Sequence, residues 1–148
     1  MRAEPYMPTV TDRAADERAA GVGYPRLTRT AAVAVIVGVL AQAALAGGFL
    51  AGHAALVQVH MAVGGLLVLS GVTLVVAGLV GRRRSREPRS LLAARVGVLL
   101  LLLVTASAGL AAGGGTRDLL MLHIPLAILS MGLSSRLLDA SGAAARRH

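Results

Sequence analysis

The chain has 148 residues, 55% of them hydrophobic, 15% charged and 2% aromatic, with a formal net charge of +8 and no cysteine. So apolar a composition excludes an ordinary soluble domain and points to the membrane class, and the lack of cysteine excludes disulfides, thiolate ligation and covalent haem attachment. The positive charge is all Arg, set between apolar runs rather than gathered in one patch, so it marks membrane topology and not nucleic-acid binding.

Residues 1–29 are polar and carry five Arg and four acids. They read as a mobile cytoplasmic tail, in which Asp12 to Ala20 can form a short helix ended by Gly21. Ala44-Leu45-Ala46 has the look of a signal-peptide cleavage site. Glu4, Asp12, Asp16 and Glu17 ahead of the apolar run argue against that reading. The first span is predicted over about 30–51 and the second over about 54–80, with almost no loop between them. Gly81 and the run Arg82-Arg83-Arg84-Ser85-Arg86-Glu87-Pro88-Arg89 end the second, as a helix stop followed by a charged loop. The third covers about 91–113 and the fourth about 119–138, joined by a Gly-Gly-Gly-Thr-Arg-Asp turn, and 139–148 form a cytoplasmic tail.

Only helices or closed barrels satisfy backbone groups in hydrocarbon. These runs lack the two-residue alternation of barrel strands. The fold class is therefore all-α: an antiparallel bundle of four transmembrane helices in the cell membrane. Fourteen of the fifteen Arg fall on one side, in the two tails, at the loop between spans two and three with Arg95 beside it, or, for Arg136, at the end of the fourth span, and only Arg117 falls on the other. The positive-inside rule then puts the N and C termini in the cytoplasm.

Two histidines interrupt the spans, His60 in the second and His123 in the fourth. A polar ring in hydrocarbon costs free energy unless a partner satisfies it, so each is a functional candidate. Both fall roughly 6–10 Å below the outer ends of their helices, at 1.5 Å per residue. A short repeat surrounds them. Ala-Leu-Ala-Gly precedes His60 and Ala-Ser-Ala-Gly precedes His123, with Gly-to-His spacings of 13 and 14. Parallel repeats are related by an axis along the membrane normal, an operation that brings the two imidazoles face to face.

Bundle cores build cofactor sites from side chains on facing helices, and His is a standard haem iron ligand. The first reading is thus a haem b with His60 and His123 as axial ligands to its iron, near the outer face. Gln42, Thr105 and Ser107 lie at nearby depths to accept from the second ring nitrogens. Gly47, Gly64 and Gly109 would clear room for a flat macrocycle. Arg117 and His53 at the outer end are the expected partners of its propionates. Gly71 and Gly78 read as plain helix packing. No Asp, Glu or Lys lies inside a span, so general acid–base catalysis would rest on His alone. An enzyme is not the expectation. The alternative is a cofactor-free accessory subunit that packs on a membrane-protein partner through Gly-rich faces. A small permease component is a third reading. The bilayer is a partner in all three, and a redox protein in the first.

Gln42-x-x-Leu45-Ala46-Gly47, His60 with Gly64, and Leu122-His123-Ile124-Pro125-Leu126-Ala127 resemble a group of small four-helix bacterial membrane proteins of unknown function. More distantly, the arrangement is similar to one four-helix half of haem A synthase and to four-helix membrane cytochromes b. The resemblance implies that His60 and His123 bind haem. This chain has one intramembrane His per hairpin and no acid in its first span, so the resemblance does not extend to haem modification. It implies electron transfer, sensing or a structural role.

Overall fold

A computed structural model describes residues 10–85 and 88–145, with side-chain surroundings for 26–83 and 88–142. The described residues form four α-helices: α1 Val10–Leu50, α2 Leu56–Ser85, α3 Arg89–Gly113 and α4 Leu120–Ala145, with a 3-10 turn at Arg117–Leu119 ahead of α4. Each contains 25 or more residues long and apolar enough to cross a membrane, where roughly 20 suffice. The chain is a multi-pass helical protein.

Helix α1 starts well ahead of its span and runs through Gly21 and Pro25. The break expected at Gly21 is absent. Residues 1–9, the first part of the expected tail, lie outside the described residues, as do 146–148 of the C-terminal tail. The C-terminal helix also passes the predicted boundary at Leu138, because the following residues are mostly Ala and Ser and none is Pro.

Among the described residues each helix packs on its two neighbours, α1 on α2 and α4, and α3 on α2 and α4. The backbones of neither diagonal pair come into contact, so α2 and α4 face each other across the bundle. The core is a column of Val35, Val39, Leu67, Leu74, Val98, Leu102 and Leu137. Around it the outer surface is apolar, with Val37, Leu40, Leu100 and Leu103 all exposed. That is the pattern of a helix bundle solvated by lipid tails, which are as apolar as Leu.

The two hairpins are one structure used twice, displaced by 63 positions. Buried Val35, Val39, Leu67 and Leu74 correspond to buried Val98, Leu102, Ser130 and Leu137. The α1–α2 and α3–α4 turns match bond for bond. Ala51 N–H donates to Gly47 O, Gly52 to Phe49 O, His53 to Gly48 O and Leu56 to His53 O. Their counterparts join Gly114 to Leu110, Gly115 to Ala112, Thr116 to Ala111 and Leu119 to Thr116. Gly52 and Gly115 hold the same place with φ of 103° and 116°, a left-handed conformation that glycine adopts without a Cβ clash. In this register His60 matches His123, but Gly109 matches Ala46, not Gly47.

At the end of the bundle away from these turns, Arg95 of α3 is 4% exposed, and its Nη2 donates to Thr28 Oγ1 of α1 at 3.2 Å. The long side chain spans the diagonal that the backbones leave open. Gly78 makes room for it: a Cβ there would lie 2.5 Å from Arg95 Nη1.

Candidate functional site

His60 sits one turn inside α2 and His123 one turn inside α4. Their helices are diagonal neighbours with no backbone contact, yet the ring centroids are 6.2 Å apart, with planes inclined at 39°. The two half-buried imidazoles therefore meet across the bundle interior.

Each ring leans on the first helix of its own hairpin. His123 Nδ1 lies 2.8 Å from the backbone carbonyl of Thr105 on α3. A carbonyl only accepts, so Nδ1 carries the proton and Nε2 keeps a lone pair. Gly109 allows the ring to lie this close to α3, since a Cβ there would stand 2.9 Å from His123 Cε1. His60 faces the equivalent acceptor, the Gln42 backbone carbonyl of α1. Its Nδ1 is buried and does not close that hydrogen bond in good geometry. In both halves the acceptor stands 18 residues before the histidine. Phe49 packs edge-on against His60, with centroids 5.4 Å apart.

The hydroxyls expected to orient the rings do other work. Thr105 Oγ1 donates to Leu101 O of its own helix, and Ser107 Oγ to Leu103 O on the exposed side. Thr105 contributes its main chain instead. Gln42 does reach the site: its Oε1 is buried without a hydrogen-bond partner, and its Nε2 would lie 3.0 Å from a Cβ on Gly64. Gly47, expected to clear space, is exposed with nothing near a Cβ built on it. The repeat register explains why, since that position faces outward in both hairpins.

A cavity of about 720 Å³ adjoins His60 between α2 and α3, at the end of the bundle that holds the α1–α2 and α3–α4 turns; His123 does not border it. Gln42, Phe49 and His60 border it, as do Gly64, Gly65, Gly109 and Gly113. Arg117 stands exposed at its outer rim. His53 is exposed in the outer turn of the other hairpin and does not border it. The signal for Gly65 and Phe49 was present in the sequence, as a second glycine beside Gly64 and as the one aromatic inside a span. What it lacked was a direction for either side chain.

The geometry suits a shared metal ion. A metal–imidazole bond of about 2 Å, with the nitrogen roughly 1 Å from its ring centre, sets two ligating rings about 6 Å apart. The observed 6.2 Å meets that spacing. Inclined planes are compatible with it, because rings can turn about the ligand–metal axis without losing the bond. Among the described residues no cluster of three or more His, Asp or Glu side chains that could hold a metal ion forms. The cavity falls within the roughly 300–1,000 Å³ of small-molecule and cofactor sites. Four glycines on its walls leave room for a flat body. No known protein family, curated protein or solved structure matches this chain.

Proposed function

We propose that the protein is a membrane cytochrome of the b type, with His60 and His123 as the axial ligands of one haem b near the outer face. The single observation that carries this reading is the 6.2 Å separation of two imidazoles delivered by diagonal helices. His123, held by the Thr105 carbonyl, presents Nε2 in the tautomer a ligand requires. His60 is placed to do the same against the Gln42 carbonyl. The glycine-walled cavity beside His60 would accommodate the macrocycle, and Arg117 at its rim would pair with an anionic substituent. Bound haem would supply one-electron chemistry, for transfer or for sensing. The protein's own part is to fix the ligands, keep water from the iron and set the local dielectric. The distribution of Arg orients the bundle with both termini in the cytoplasm and the site toward the outer side of the cell membrane.

Absorption spectra of the purified protein, oxidised and reduced, test the assignment. The expected result is a low-spin haem spectrum that disappears in His60→Ala and in His123→Ala while the helical circular dichroism is retained. A folded, colourless wild-type protein from haem-replete cells overturns it and returns the chain to the role of an accessory subunit.

A further inference from the structure

The repeat is broken in one place, and the break has a direction. On the α2–α3 flank of the histidine pair the positions are Gly64, Gly65, Gly109 and Gly113. Sixty-three positions away, on the α1–α4 flank, their counterparts are Ala127, Ile128, Ala46 and Leu50. One flank has no side chains where the other has two methyls, an isoleucine and a leucine. The cavity lies on the glycine flank. Its mouth faces the lipid surface, since Met61 and Leu110 on its border are 60% and 66% exposed on the apolar exterior. The rim carries Arg117, whose counterpart is the uncharged Ala54.

From this asymmetry we propose that the α2–α3 seam is a lateral port. Through it a flat, bilayer-dissolved amphiphile with an anionic end reaches the histidine pair, entering beside His60. The inference rests on the haem reading for the identity of that amphiphile, but the port is a property of the helices alone. The hydrocarbon face of the ligand slides between glycines in lipid, where no water has to be displaced. Its anionic end stays at the outer interface beside Arg117.

Gly65 and Gly47 make the test. Each takes a Cβ with no atom within 4 Å, yet only Gly65 borders the cavity. Wild type, Gly65→Phe and Gly47→Phe, prepared without haem in lipid nanodiscs, are mixed with haem-loaded vesicles and uptake is followed by absorption. In parallel, a bilayer-dissolved hydrophobic diazirine is photolysed and adducts at His60 are counted by mass spectrometry. Gly65→Phe should slow uptake tenfold or more and suppress the His60 adducts, with Gly47→Phe within twofold of wild type in both. Should Gly65→Phe behave as wild type, or Gly47→Phe match its losses, the port is refuted. A wild-type protein that takes up no haem removes the haem reading, and the adducts at His60 then decide the port by themselves.

Discussion

At the scale of single residues the site depends on main-chain acceptors. The Thr105 carbonyl fixes His123, while the Thr105 hydroxyl bonds back to Leu101 in its own helix. Thr105→Val keeps the carbonyl and loses only the hydroxyl. Its haem spectrum and loading should equal those of wild type, whereas a hydroxyl-mediated site would lose the signal. Gly109→Ala should do the opposite. A methyl 2.9 Å from Cε1 and 3.1 Å from Nδ1 forces the ring off α3 and breaks its bond to Thr105. Overpacking of this kind costs about 1–3 kcal/mol, to be read as a lowered unfolding midpoint in detergent together with a weakened or shifted haem spectrum. Gly64→Ala is the mild counterpart, because the atom it meets is the mobile end of Gln42. The identities of His60 and His123 were legible in the sequence, as polar rings in hydrocarbon. The acceptors were not: every residue carries a carbonyl, so only the helix positions distinguish the ones at 42 and 105.

At the scale of helices, the glycines of α2 divide by the face they occupy. Gly71 faces α3 so closely that a Cβ would come within 3.3 Å of the Leu99 backbone. Gly65, about two turns away, faces open space. Gly71→Ile should therefore destabilise the bundle by about 1–3 kcal/mol, as overpacking of a close helix contact does. Gly65→Ile should leave the unfolding midpoint of the haem-free protein unchanged. Equal effects at both positions would mean that the α2–α3 seam is not as closely packed toward the inner end as it stands here. Hydropathy made the four spans legible, since length and apolarity alone decide whether a helix can cross, but Gly81 does not stop α2, which runs on through Arg82–Arg84 to Ser85. Hydropathy did not reveal the continuation of α1 ahead of its span. Polar residues there obey no hydrophobic period that would mark a helix, and Gly21 and Pro25 are read as breakers unless the fold overrides them. Nor did it reveal that Arg95 lies across the bundle to Thr28. A lone Arg near a span end reads equally well as one that snorkels to the interface.

At the scale of the whole molecule the chain repeats one hairpin, with burial and turn bonds matching at a displacement of 63 positions. The sequence showed this repeat only at its histidines. There the glycine spacings of 13 and 14 left the register ambiguous by one residue, and a one-residue slip on a helix turns a side chain by about 100°. Burial and turn bonds fix the displacement at 63, which moves Gly47 out of the site. Such a parallel repeat requires both hairpins to enter the bilayer from the same side, so both outer turns share one face of the membrane. The charge asymmetry then selects which face: the last turn of α2 carries Arg82, Arg83 and Arg84, whereas the α1–α2 and α3–α4 turns together carry only Arg117. Lys and Arg in short loops are retained in the cytoplasm. Because the chain has no cysteine, single introduced thiols report this directly. Ala54→Cys and Thr116→Cys should react with a membrane-impermeant maleimide on intact spheroplasts, and Ser85→Cys only after the membrane is permeabilised. If Ala54→Cys and Thr116→Cys report opposite sides, the parallel repeat fails and the histidines cannot share a depth. If both label only after permeabilisation, the bundle is inverted and the site opens toward the cytoplasmic leaflet.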